Sequence, residues 1–183
     1  MADPASSADL AAAARAGDRR AFAALHERYG RMVHAILLAR VPAGAADDLV
    51  QDVFVAALER IGDLREVEAF GAWLAQIARN RAVDHLRGRR PDGPLGADAD
   101  VVAVAVASGH FAAEAREALA AIRALPDAYR ETLLMRLVEG LSGPEIAART
   151  GLTPGSVRVN LHRGMQLLRD RLGIPHPEGR SDV

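Results

Sequence analysis

The stretch "EIAARTGLTPGSVRVNLHRG", Glu145 to Gly164, contains two helical patterns separated by Thr-Gly-Leu-Thr-Pro, and its reading decides the fold. Ser142 stands three residues before Glu145, the spacing at which a hydroxyl caps the third helical N–H while the carboxylate returns a hydrogen bond to the cap. A helix therefore begins at Ser142 and stops near Thr150, because Gly151 can take the left-handed conformation without a Cβ penalty. Thr153 caps a second helix, and Pro154 suits its first turn, where an N–H would have no intrahelical partner. Ile146, Ala147, Leu152, Val157 and Leu161 fall where two helices crossing through a short turn bury them against each other. That pattern is a helix-turn-helix. The opposite face of its second helix carries Val159, His162, Arg163 and Gln166, with Arg158 on the flank, a face that fits a major groove. Helical hairpins with glycine turns also occur as plain packing units, so the rest of the chain must decide between the two.

A chain of 183 residues holds one large or two small domains. With no cysteine it has no disulfide framework, thiolate metal site or thiol nucleophile. The opening "MADPASSADL" lacks the regions of a signal peptide, and the longest aliphatic run, "VVAVAVA", is too short to span a bilayer, so a cytoplasmic protein with no membrane partner is expected. All 23 basic side chains are arginine, yet the formal net charge is -1, which is low for an autonomous DNA binder that must neutralise phosphates. Charge is instead local. Arg79, Arg81, Arg87, Arg89 and Arg90 crowd one segment with Asp84, and Arg158, Arg163, Arg169 and Arg171 another with Asp170, while the intervening "PDGPLGADAD" has acids and no base. His26 and His34 are too far apart on one helix to share a metal. No zinc-protease spacing, phosphate loop, GxSxG or CxxC occurs, so neither enzymatic activity nor a metal or cofactor is expected.

Apolar residues recur at helical spacing from Leu10 to Ala16, Ala21 to Val41, Asp48 to Ile61 and Val67 to Arg87, and again from Ala112 to Ala124 and Pro126 to Val138. Pro91 to Asp100 is rich in Pro, Gly and Asp and reads as a linker. No strand pattern appears except "VVAVAVA", which has no partner to pair with and is read as part of the connector. The expected fold is all-α: two small helical bundles joined by a flexible linker, the C-terminal one a helix-turn-helix domain. The boundaries are 8–90 for the first bundle, 91–112 for the linker, 113–174 for the second and 175–183 for a disordered tail.

Two further segments carry chemistry. In "ADDLVQDVFVAALERIGDL", Asp48, Gln51, Asp52 and Glu59 share a stripe while Leu49, Val50, Val53, Phe54, Leu58 and Ile61 cover most of the rest. The stripe is either a solvated face favouring the helix dipole or part of a partner surface, which would account for apolar residues on more than one face. In "FGAWLAQIARNRAVDHLRGRR", Phe70, Trp73, Leu74 and Ile77 form a core face, but its continuation brings Asn80, Arg81 and Asp84 where apolar residues should follow. Asn and Arg read base edges and phosphates well, and Arg87, Arg89 and Arg90 could grip a backbone. An Arg81–Asp84 ion pair on an exposed helix end is the alternative.

"DDLVQDVFVAALER", then "FGAWLAQIARNRAVDHLRGRR", then "LPDAYRETLLMRLVEGLSGPEIAARTGLTPGSVRVNLHRGMQLLRDRL" together resemble the extracytoplasmic-function sigma factors of bacterial RNA polymerase. The resemblance runs from about Leu10 to Arg90 and from about Glu114 to Leu172. It implies that the helix with Asp48, Leu49, Gln51, Asp52 and Phe54 binds core RNA polymerase. It also implies that Trp73, Asn80, Asp84, Arg87, Arg89 and Arg90 engage the minus-ten element, with the loop from Gly62 to Ala69 receiving a flipped base, whose capture must offset the cost of unstacking. Arg158, Val159, His162 and Arg163 would face the minus-thirty-five element. Promoter DNA and core polymerase are the implied partners, and an anti-sigma factor is a common one in the family. Where the family's recognition helices often carry a small hydroxyl residue and basic residues, this chain has Val159, Asn160 and Met165. Two other readings compete: a helix-turn-helix regulator binding operator DNA without polymerase, whose companion sheet domain is missing, and a protein-binding adaptor, against which the Asn80 to Arg90 chemistry argues.

Overall fold

The long element of the first half is α2 (Arg19–Leu38), and its neighbours are arranged around it. Asp18 starts it: the carboxylate accepts from the backbone N–H groups of Arg20 (2.8 Å) and Ala21 (3.2 Å), which the first turn leaves without intrahelical acceptors. Leu25, Tyr29, Met32, Val33 and Ile36 recur at helical spacing and are buried. The computed structural model describes residues 5–88 and 110–175, the side chains of 110–112 excepted. Three helices pack on α2: α1 (Ser7–Arg15), α3 (Ala43–Arg60) and α4 (Phe70–Gly88). Ser6 and Asp9 form a capping box at the start of α1. Helices α3 and α4 also touch each other, and two 3-10 turns, Ile61–Asp63 and Val67–Ala69, connect them. Ring contacts support the arrangement, with Tyr29 edge-on to Phe70 (centroids 5.2 Å apart) and Phe54 tilted against His26 (4.2 Å).

The second half is α5 (His110–Arg123), α6 (Asp127–Leu137), α7 (Gly143–Thr150) and α8 (Pro154–Leu172), with α6 and α8 as its principal packed pair. The opening stretch folds as its caps require. Glu145 accepts from the Ser142 N–H (2.9 Å) and hydroxyl (2.8 Å), while the Glu145 N–H reaches back to the Ser142 hydroxyl. The Ser142 N–H and then its hydroxyl, with Arg149 next, lower the Glu145 carboxyl to about 2. Gly151 ends α7 at φ 75°, a left-handed geometry that any Cβ would strain. Thr153 accepts from the Ser156 N–H at 3.1 Å to start α8.

The all-α class and the two helical clusters are as expected, but two local readings differ. Helix α3 starts at Ala43 rather than Asp48, with Pro42 at the N-cap position. Proline and glycine near 42–44 read as a break, yet proline is compatible with a helix entrance and Gly44 sits in the first turn, where its cost is small. Helix α5 starts at His110, inside the segment assigned to the linker. The rest of that linker, the run Val101 to Ala107, Arg89, Arg90 and the tail from 176 lie outside the described residues.

The clusters are also in contact. Helix α6 lies along α2, and α7 packs against α4 and α2. Among the described residues no helix is long and apolar enough to cross a membrane.

Candidate nucleic-acid interface

On α3, Asp48, Gln51, Asp52 and Glu59 are all exposed and form the stripe that the sequence outlines. Leu49 and Phe54 are only 7% and 3% exposed. The apolar surplus of this helix is explained inside the fold, because α2 covers one side of it and α4 another. What remains outside is Val55 (56% exposed) and Leu58 (49%). Val55 follows Gln51 by four residues and Asp52 by three, so it lies within the acidic stripe. The sequence reading missed it because a valine in an alanine-rich helix carries no signal of its own.

Helix α4 behaves as two pieces. Phe70, Leu74 and Ile77 are buried and Trp73 is partly buried, its ring 5.7 Å from that of Phe70. Trp73 therefore serves the core at least as much as the surface. Beyond Ile77 the stripe leaves the core: Asn80, Asp84 and Arg87 are exposed, and Arg81 is half-exposed. Gln76 donates to the Asn80 side-chain oxygen at 2.9 Å, which engages that oxygen and leaves the amide NH2 as a pair of donors. A shallow cleft lined by Glu59, Ile77, Asn80, Arg81 and Asp84 joins this face to the end of the α3 stripe, making the two surfaces continuous. The loop from Gly62 to Ala69 is held from behind: Leu64 is buried and its carbonyl accepts from Arg15 of α1 at 2.9 Å.

On α8 the inward positions are Val157, Gly164 and Leu168. Arg158, Val159, His162 and Arg163 are all exposed on the outward side. Val159 is 45% exposed, an apolar group suited to contact a thymine methyl. Behind the helix, Asn160 lines a cleft with Arg40, Arg79, Glu131 and Leu152. Among the described residues no group of three or more His, Asp or Glu side chains could hold a metal ion.

Comparison with known proteins gives these surfaces a context. Residues 25–91 match the family model for Sigma-70 region 2, and residues 115–168 match that for Sigma-70 region 4. The RNA polymerase sigma factor CarQ of Myxococcus xanthus is 34% identical over 87% of this chain and 93% of its own length. The ECF RNA polymerase sigma-E factor of Escherichia coli is 31% identical over 85% of this chain and 88% of its own. Among solved structures, CnrH in complex with the cytosolic domain of CnrY is 30% identical, covers 93% of this chain and 99% of its own, and superimposes with a TM-score of 0.57. A sigma region 2 in the first cluster leaves no place for an autonomous operator-binding regulator. With region 2 carried by α2 to α4 and region 4 by α5 to α8, the chain belongs to the extracytoplasmic-function sigma factors, non-catalytic proteins that direct RNA polymerase to promoters.

Proposed function

We propose that three exposed faces divide this activity. Asp48, Gln51 and Asp52, with Val55 among them and Leu58 beside, bind core RNA polymerase. Leu49 and Phe54 support that helix from the core side and do not touch the partner. The exposed end of α4 reads the minus-ten element through Asn80 and Asp84, with Arg87, and Arg89 and Arg90 after it, on the phosphates and Trp73 at the inner edge beside the 62–69 loop. Arg158, Val159, His162 and Arg163 of α8 face the minus-thirty-five element. The observation that carries this division is the change of character along α4, where a core stripe becomes an exposed Asn/Asp/Arg surface within one helix. A purely structural helix gains nothing from such a change, whereas base readers must project beyond the core. Polymerase and chromosome share the cytoplasm, which is where the protein works. The complex of CnrH with the cytosolic domain of CnrY supports a protein partner of the anti-sigma kind for this chain as well.

The test is affinity with and without polymerase. From Glu114 to Val183 there are ten arginines and nine acids by direct count, so few phosphates are neutralised and the counterion-release contribution is small. Free protein should bind a labelled promoter in roughly the micromolar range or weaker at physiological salt. Core enzyme should raise that affinity greatly by making the second contact intramolecular. Fluorescence anisotropy reads both, and nanomolar sequence-specific binding by the free protein would refute the proposal.

A further inference from the structure

We infer that α1 is a working part of promoter opening and that Arg15 is a positioning residue, holding the loop from Gly62 to Ala69 in the shape that receives a base flipped out of the minus-ten element. The inference rests on the assignment of that loop to a flipped base.

A base leaves its stack at a cost that capture has to offset, and ordering the receiving loop at the same moment would add to that cost. A loop of this kind therefore works best when its shape is set beforehand. Ile61, Leu64 and Phe70 are buried and Val67 is partly so, so every third residue is an anchor. Asp63, Arg65, Glu66 and Glu68 between them are exposed. Two 3-10 turns, Ile61–Asp63 and Val67–Ala69, tie down the two ends of the loop. Within them the Leu64 N–H reaches the Ile61 carbonyl (3.2 Å) and the Ala69 N–H reaches that of Glu66 (3.1 Å). The stretch from Leu64 to Glu66 lies between the turns and outside both. Arg15 acts there: it donates to the Leu64 carbonyl at 2.9 Å.

Helix α1 can serve as a support because it is itself held. Its start carries the Ser6–Asp9 capping box. Ala11 and Ala14 are buried, and the helix packs on α2 and on both 3-10 turns. Arg28 of α2 donates to the Ser7 hydroxyl and to the Ala5 carbonyl, each at 3.0 Å. At its other end Gly17, at φ 99°, turns the chain directly into α2. Arg15 thus connects the middle of the loop to a helix fixed at both ends.

A cation in the last turn of α1 suits the helix dipole whichever way it points, and a long side chain loses rotamer freedom when it is held in one place. Dipole compensation alone therefore gives Arg15 no reason to be held on a backbone carbonyl 49 residues along the chain. The residues that match Sigma-70 region 2 begin at 25, so this support comes from ahead of the matched segment. Arg15 acts through the Leu64 carbonyl and not on the base itself.

The test uses full-length protein assembled with core RNA polymerase, on a promoter duplex selected by that holoenzyme from a randomised pool. Placing 2-aminopurine at each minus-ten position in turn should locate one base whose fluorescence rises as it leaves the stack. Arg15→Ala should lower the equilibrium between closed and open complexes by roughly fivefold, the weight of one hydrogen bond, and lower the fluorescence rise with it, while holoenzyme formation on gel filtration is unchanged. Arg15→Lys keeps the charge and a donor and should recover most of the loss. An abasic nucleotide at the flipped position should weaken opening by the parent and abolish the difference between parent and Arg15→Ala, because the loop then has no base to hold; a merely structural role leaves that difference in place. An Arg15→Ala protein that opens the promoter as the parent does, or a difference that persists on the abasic promoter, would overturn the inference and leave the loop assignment standing. No flipped position with the parent would remove the loop assignment and the inference with it.

Discussion

Replacing Gly164 with alanine sets two opposing effects against each other inside α8. Gly164 lies on the buried side of α8 where it crosses α6. An added Cβ would meet the Leu133 Cδ1 and the Tyr129 Cβ at 3.1 Å and the Leu133 Cγ at 3.2 Å. In an isolated helix the exchange gains about 1 kcal/mol of propensity. In a packed core, forcing in a methyl group costs about 1–3 kcal/mol. The neighbours decide the sign. Leu133 is 0% exposed and already packed in the core, and the Tyr129 Cβ is fixed by the backbone and cannot move through any side-chain torsion. Relief must come from shifting α8 against α6, so overpacking wins and the net loss is about 1 kcal/mol.

For a chain of this size that loss lowers the melting temperature by roughly 2–4 °C. Gly155, in the first turn of the same helix, is the control, because an added Cβ there meets nothing closer than the Thr153 hydroxyl at 3.8 Å. Gly155→Ala should raise the melting temperature by about 1–2 °C, a fraction of the full helix-interior gain. Differential scanning calorimetry on both variants reads the contrast. A Gly164→Ala protein as stable as the parent would show that the α6–α8 contact yields easily and that the packing argument fails.

The paired substitution Asp48→Arg and Asp52→Arg should abolish holoenzyme formation on gel filtration while changing stability by less than about 0.5 kcal/mol, as exposed sites do; a retained complex removes α3 from the interface. Asn80→Ala or Asp84→Ala should alter preference among minus-ten sequences in open-complex assays, whereas Arg87→Ala should weaken all promoters alike, since base contacts specify and phosphate contacts position. Equal shifts for all three on every promoter would contradict that division. His34 of α2 should make the stability of the packed clusters pH-dependent. It faces Glu139, which follows α6, and Asp47 of α3. The Glu139 hydrogen bond raises its pKa above 6.5 against the opposing effect of burial, and the charges of Glu139 and Asp47 add to the rise. A raised histidine stabilises fully below 6.5 and loses that contribution as pH climbs through the raised value. The melting temperature should therefore fall over that window in the parent and stay flatter in His34→Gln, and identical profiles would exclude His34 as the cause.

What was legible in the sequence was local chemistry. Ser142 with Glu145, Gly151, Thr153 and Pro154 each act within a few residues of themselves, and the helix-turn-helix follows from them without any distant contact. The outward turn of α4 at Asn80 was legible for the same reason, because helical period alone carries it. The roles of Leu49 and Phe54 were not. An apolar helix face is the same in sequence whether α2 and α4 of its own chain cover it or a partner does. The docking of the clusters was equally hidden. Arg79, Arg40 and Glu131 read as surface charges, and only the fold brings residues 52 positions apart to 2.8 Å. Gly71 is one small residue among many in the sequence, and only the fold sets the Arg149 carbonyl in front of it.

The arginines resolve the low net charge. In the second cluster Arg123, Arg130, Arg136 and Arg149 donate to backbone carbonyls of the protein itself. Arg158 and Arg163 remain exposed on the outward face of α8. The basic side chains available to phosphates are thus fewer than a count along the sequence suggests, and nonspecific affinity scales with phosphates neutralised. A free chain of this kind should therefore bind bulk DNA weakly. Its specificity then has to be expressed where another protein supplies the affinity and holds both reading helices on one duplex at high effective concentration. Weak charge thus favours an order of events in which promoter binding follows polymerase binding.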